Sequence, residues 1–242
     1  MRFYSKWFAL MVLAWWPNML PATSSESSPL PSAETVLQWV LARAERDSDP
    51  EHEFNQSYRY TRTRITEHRD GKGGLKKREE KTSVQHPGLA ASPTNSTARN
   101  RAYEKGDFPQ NEDLIKRFDF TLASREVVNG RPALVLDFKP ASSQPAARNL
   151  KERFINRIAG RVWVDETDHV LTKATLRLTE KVNVIGGLVG NVTRMDFSFD
   201  RERTAEGLWF TRRSNWHLAG RELFSQRTID SREEKTDLQK AE

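Results

Sequence analysis

The spacing of hydrophobic residues changes along this chain, and each change marks a new structural element. Between Ser32 and Asp47 apolar residues recur every three or four positions, and Ser32 is a good helix N-cap. A second stretch of this kind follows Asn149, reaches Ile158 and has Gly160 as its stop. The pattern therefore predicts two amphipathic helices, each of which needs a surface to cover.

Most of the remaining chain alternates apolar and polar residues, as in a strand with one buried face. The clearest example is residues 118–140, where Asn129-Gly130 predicts a two-residue hairpin turn. A strand is predicted over 54–67, with a very polar return strand over 75–84. Further strands recur as far as residue 230. In total about nine antiparallel strands are predicted.

In three segments the apolar residues show no regular spacing. Residues 85–107 are rich in Pro, Gly, Ser and Asn and are interpreted as a loop, followed by a short helix over 112–117. The apolar, glycine-broken stretch 182–192 is either a mobile hairpin tip or a bulged hairpin packed under a neighbour. The charged stretch 165–169 is interpreted as a solvated turn, because it matches no metal-binding loop.

The start of the chain indicates export. Arg2 and Lys6 precede an apolar run of signal-peptide length over 7–16, and small residues at Ala22 to Ser24 offer a cleavage point. We therefore expect a signal peptide over 1–24, a disordered leader over 25–31, one domain over 32–231 and a polar tail over 232–242. The 242 residues include no cysteine. Export without cysteine favours a periplasmic location.

Composition excludes several classes of function. The absence of cysteine rules out disulfides, zinc–thiolate sites and a cysteine nucleophile. The net charge of +6 is small, and export argues against a nucleic-acid partner. The sequence contains no common catalytic or nucleotide-binding motif. We therefore expect neither a catalytic residue, nor a metal site, nor a cofactor.

Together these patterns predict a mainly β (α+β) protein. We expect a curved antiparallel sheet that forms an unclosed β-barrel, with the helices covering its open side, because exposed edges and a one-sided apolar face must be covered. The segments GRVWVDETDHVLTKATLRL and GLWFTRRSNWHLAGRELF resemble strand pairs of the LolA/LolB-like periplasmic lipoprotein-carrier superfamily. The resemblance covers residues 34–231 and departs from that group in the polar second strand and the inserted loop.

The resemblance implies a non-catalytic carrier that moves lipid or lipoprotein acyl chains across the envelope, contacts envelope transport proteins and membranes transiently, and is a monomer. An acyl chain needs an apolar wall, and apolar residues at every second position of a strand provide one. The expected lining consists of the aromatic and aliphatic residues Tyr58, Tyr60, Phe120, Leu122, Leu134, Leu136, Phe138, Leu176, Leu178, Met195, Phe197, Phe199, Phe210 and Trp216. Two alternatives stay open. One is a filled β-scaffold that acts as an interaction module in an envelope complex, and the other is an exported hydrolase.

Overall fold

The computed structural model describes residues 29–46, 51–88, 115–184, 190–223 and 225–241. Within these ranges the chain forms three helices and ten strands. The helices are α1 (Ala33–Arg46), α2 (His52–Ser57) and α3 (Leu150–Ile155). The strands are β1 (Tyr58–Asp70), β2 (Leu75–Gln85), β3 (Phe118–Val128), β4 (Arg131–Pro140), β5 (Ile158–Asp165), β6 (Leu171–Leu178), β7 (Val182–Val184), β8 (Gly190–Arg203), β9 (Trp209–Glu222) and β10 (Ser225–Lys240).

All ten strands belong to one antiparallel sheet. Its order is β2-β1-β10-β9-β8-β6-β5-β4-β3, and β7 pairs with β8 beside this path. Strands β2 and β3 form the two ends and do not pair with each other, so this sheet is not closed into a barrel. The predicted mainly β, unclosed antiparallel architecture is confirmed, with one more strand than expected.

Helix α1 covers one end of the sheet, on the face that we call the helix face. The side-chain oxygen of Ser32 accepts a hydrogen bond from the Thr35 backbone N–H at 3.1 Å, which confirms the predicted N-cap. Val36 is fully buried against Leu134 and Leu136 of β4. The other strand residues of this cluster lie on β3, on β5 and at the start of β6, and none lies on β8 or β9. The helix therefore leaves the middle of the helix face uncovered.

The hairpin between β3 and β4 forms as predicted. Asn129 has φ of 51° and Gly130 has φ of 77°, the positive values that a type I′ turn requires at both positions. This turn fixes the register in which Phe120 lies opposite Phe138 and Leu122 opposite Leu136. Because the register is fixed, the alternating apolar residues of both strands point to the same face.

The prediction of a strand from Phe54 is wrong for its first four residues, which belong to helix α2. Phe54 is buried, and its ring lies 5.1 Å from that of Tyr58, 5.3 Å from that of Tyr60 and 4.4 Å from that of Phe210. One helical turn brings Phe54 onto the aromatic residues of β1 and β9. Tertiary packing thus decides the local structure over strand propensity.

Helix α3 starts where predicted but ends earlier. The side-chain oxygen of Asn149 accepts a hydrogen bond from the Glu152 backbone N–H at 2.9 Å, and the helix ends at Ile155. Gly160 is therefore not a helix stop, because it lies inside β5. A Cβ atom at this position would lie 2.0 Å from the carbonyl oxygen of Thr175 on β6. Glycine is required here for the close approach of two strands.

The prediction that residues 232–242 form a tail outside the domain is also wrong, because the chain remains in the sheet as far as Lys240. Strand β10 pairs with both β1 and β9, and Arg232 lies between Ile65 and Asn215. The predicted signal peptide, the leader as far as residue 28 and most of the 85–107 loop lie outside the described residues. So do residues 112–114 of the short helix and 185–189 of the hairpin tip.

Candidate functional site

A row of half-exposed apolar residues crosses the middle of the helix face. Leu176 of β6 lies opposite Phe197 of β8, which lies opposite Trp216 of β9. The rings of Phe197 and Trp216 are 4.1 Å apart, and Trp216 is 40% exposed. Apolar neighbours extend this row on the same three strands. We call the six residues Leu176, Leu178, Met195, Phe197, Phe199 and Trp216 the apolar strip.

The strip accounts for six of the fourteen residues expected to line a cavity. The other eight lie elsewhere and fill two packed regions. Near α1, Leu134 and Leu136 are fully buried, Phe120 and Leu122 pack against them, and Phe138 lies beside Phe118 and Phe120. Near α2, Tyr58, Tyr60 and Phe210 surround Phe54. The structure therefore does not bring all fourteen residues together in one site.

A trough of about 1150 Å³ runs across strands from β4 to β2 on the opposite face of the sheet. Side chains alternate between the faces of a strand, and those that reach the trough come from the positions between the strip residues. Two cross-strand rows line it: one contains Asp137, Arg161, Thr175, Ser198, Asn215 and Arg232, and the other contains Arg177, Asp196, His217, Asp230, Glu67 and Arg78. Most side chains that line the trough are therefore polar, although Ile65, Ala159 and Trp163 lie among them. The chain also borders the trough at Leu176, Phe197 and Trp216, which lie between the two rows.

Ion pairs neutralise some of the charged side chains that line this trough. Arg161 donates two hydrogen bonds to Asp137, at 2.6 and 2.9 Å, and its hydrogen bonding and charge lower the pKa of Asp137. The Nδ1 atom of His217 lies 2.6 Å from Asp230 Oδ1. Arg177 is exposed and has no ion-pair partner among the described residues. Sequence reasoning missed this surface, because it followed only the apolar phase of each strand.

The turn between β5 and β6 is built by internal contacts. Asp165 is fully buried and accepts hydrogen bonds from the Arg131 guanidinium at 2.6 and 2.8 Å. It also accepts from the backbone N–H groups of Thr167 and Asp168. These contacts confirm a turn, but the prediction that its charges are solvated is wrong for Asp165, whose carboxylate is buried and bound by Arg131. In the described part of the chain, no three His, Asp or Glu side chains are grouped so that they would hold a metal ion.

Comparisons with known proteins find similar solved structures at low sequence identity. A domain named as an outer membrane lipoprotein-sorting protein, from Vibrio parahaemolyticus, is 14% identical with a TM-score of 0.33, over 86% of this chain and 92% of that one. A LolA superfamily protein from Nitrosomonas europaea is 11% identical with a TM-score of 0.31, over 88% and 95%. The MucA/MucB complex of Pseudomonas aeruginosa gives 13% identity and a TM-score of 0.30, over 84% and 94%.

The first two of these structures are named for the group that the strand motifs resemble. No family model matches the sequence, and no curated protein is found to be similar. Among the described residues, no helix is both long enough and apolar enough to span a bilayer.

Proposed function

We propose that this protein is a non-catalytic periplasmic carrier that binds the acyl chains of a lipid or lipoprotein on the apolar strip. The observation that supports this function is the exposure of Trp216, 40% of whose surface is open to solvent while its ring packs on Phe197. A contiguous apolar patch that is open to solvent marks a binding surface, and Trp216 is contiguous with the other five residues of the strip. The export pattern of residues 1–24 supports a periplasmic location.

The strip offers enough apolar surface to hold part of an acyl chain. Each methylene group removed from water contributes about 0.8 kcal/mol, so about ten of them supply about 8 kcal/mol before the cost of association. That free energy corresponds to micromolar affinity at best. Binding of this strength suits a carrier, because it allows a cargo to be released as well as held.

The proposal is tested on protein purified from a native envelope. Mass spectrometry of an organic extract should show stoichiometric phospholipid or acylated peptide, and the delipidated protein should take up a fluorescent fatty acid. Trp216→Ala should weaken this uptake, whereas the control Val127→Ala should not, because Val127 is 74% exposed on β3 outside the strip. A clean extract combined with no uptake would refute the carrier function.

A second candidate is an interaction module within an envelope complex, which the polar trough supports. Its charged and hydroxyl-bearing walls suit a polar partner segment rather than an acyl chain. A photo-crosslinking residue in place of Ser198 would lie in the trough, and the same residue in place of Phe199 would lie on the strip at a position that does not border the trough. Capture of one defined protein from Ser198, with only lipid captured from Phe199, would support a separate protein-binding role for the trough.

A further inference from the structure

On the helix face, the sheet becomes cationic beyond the apolar strip. The register runs from Phe199 on β8 to Ser214 on β9, Glu233 on β10, Arg64 on β1 and Lys81 on β2. Directly opposite residues of antiparallel strands point to the same face, so this row connects the strip with β1 and β2. We call Arg62, Arg64 and Lys81 the cationic patch.

The patch has more positive charge than the surrounding carboxylates neutralise. Glu233 accepts two hydrogen bonds from Arg62, at 2.7 and 2.8 Å, and two from Arg64, at 2.7 and 2.5 Å. Burial alone would raise the pKa of Glu233, but the hydrogen bonds and charges of Arg62 and Arg64 lower it below its ordinary value. One carboxylate thus serves two guanidinium groups, and one positive charge is left over.

Lys81 adds a second uncompensated charge. It lies directly opposite Arg64, is exposed, and has no ion-pair partner among the described residues. Like charges in directly opposite positions of a sheet destabilise the pair. An anion placed between Arg64 and Lys81 would remove this repulsion, so the arrangement is complementary to a phosphate group.

The distance from the strip to the patch fits one amphipathic molecule. Trp216 lies opposite Ser231, and Ser231 lies opposite Thr66, two residues from Arg64. The hydroxyl oxygens of Ser231 and Thr66 are 3.2 Å apart and form a polar border between the two regions. Two strand spacings and one two-residue step separate Trp216 from Arg64, about 10 Å across the sheet and about 7 Å along it.

We propose that the ligand of the apolar strip is a single anionic phospholipid, whose phosphate is bound between Arg64 and Lys81. The inference rests on the proposed carrier function and adds the chemical class of the cargo. Its acyl chains lie over β6, β8 and β9, and its headgroup lies over β1 and β2. A phosphate-free lipid with the same chains lacks the partner that these two cations require.

The test measures the Kd of delipidated protein for fluorescent phosphatidylglycerol and for fluorescent diacylglycerol with the same chains. We expect the wild-type protein to bind phosphatidylglycerol at least about tenfold more tightly. Lys81→Gln should weaken this binding about threefold to fivefold, as expected for one exposed charge contact, and should leave diacylglycerol unaffected. Arg64→Gln should act in the same direction. High salt should reduce the preference for the anionic lipid.

The matched control is Arg177→Gln, which removes another exposed arginine, but one that lines the trough on the opposite face. It should leave both affinities unchanged. A loss equal to that of Lys81→Gln would overturn the assignment of the phosphate to the cationic patch. Equal affinity of the wild-type protein for the two lipids would overturn the headgroup assignment and leave the carrier function standing.

Two other outcomes also decide the matter. If neither lipid binds, the carrier function fails and the inference fails with it. If the protein sediments with phosphatidylglycerol vesicles but removes no lipid from them, the patch binds a membrane surface, and the single-lipid proposal is overturned. Retention of one phosphatidylglycerol per protein after separation from the vesicles is the supporting result.

Discussion

Replacing Phe197 by alanine separates a binding surface from a packed core. Phe197 is half-buried, and its aromatic contacts are Trp216 at 4.1 Å and Phe199 at 5.9 Å. A fully buried phenylalanine costs about 3–5 kcal/mol when it is truncated to alanine. Because solvent already reaches part of this ring, we expect Phe197→Ala to lower the free energy of unfolding by about 1.5–2.5 kcal/mol.

Leu134 provides the comparison, because it is fully buried under α1 and belongs to the same sheet face. Leu134→Ala should cost about 3–5 kcal/mol, because Leu134 is fully buried and its truncation leaves a cavity between β4 and α1. Urea unfolding with unchanged m-values measures both costs. Fatty-acid binding should fall for Phe197→Ala and persist for folded Leu134→Ala. A full core penalty at Phe197 with unaltered binding would refute the assignment of the strip as a ligand site.

Three further changes test the scaffold. Gly160→Ala should destabilise the protein by about 3 kcal/mol in thermal unfolding, because its Cβ would lie 2.0 Å from the Thr175 carbonyl oxygen. Burial raises the pKa of Asp165, but the hydrogen bonds from Arg131 and from the backbone N–H groups of Asp168 and Thr167, together with the charge of Arg131, outweigh burial and lower the folded-state pKa. Asp165→Asn should therefore cost about 2 kcal/mol at pH 7, and this difference should shrink as the pH falls from about 4 through the depressed folded-state pKa, because the carboxylate becomes protonated. Ser32→Ala should cost about 1 kcal/mol, measured by urea unfolding.

Local signals predicted the parts of the fold that local physics determines. The Asn129-Gly130 pair requires positive φ at two consecutive positions, and few other sequences allow it. Ser32 and Asn149 cap helices with their own side chains. In each case the residue and its partner lie within a few positions of one another, so the sequence contains the whole interaction.

The errors occur where partners are distant in the sequence. The part of strand β10 beyond Asp230 has no apolar alternation that would predict it, because its charged residues pair with side chains of the neighbouring strands β1 and β9. Glu233 pairs with Arg62 and Arg64, about 170 positions away in the chain. Phe54 joins a helix because Phe210 provides its stacking partner. Neither contact can be read from a window of neighbouring residues.

The same distinction explains why the candidate site was only partly predictable. The alternation of apolar and polar residues along a strand identifies the residues that share a face, and Leu176, Phe197 and Trp216 do share one. It does not show how much of that face the helices cover. Helix α1 lies over β3 and β4, and α2 packs against the aromatic residues at the start of β1, so the apolar residues at those two places become core. The residues between them stay half-exposed, and that difference in cover, rather than any difference in residue type, makes the strip the place to look for a ligand.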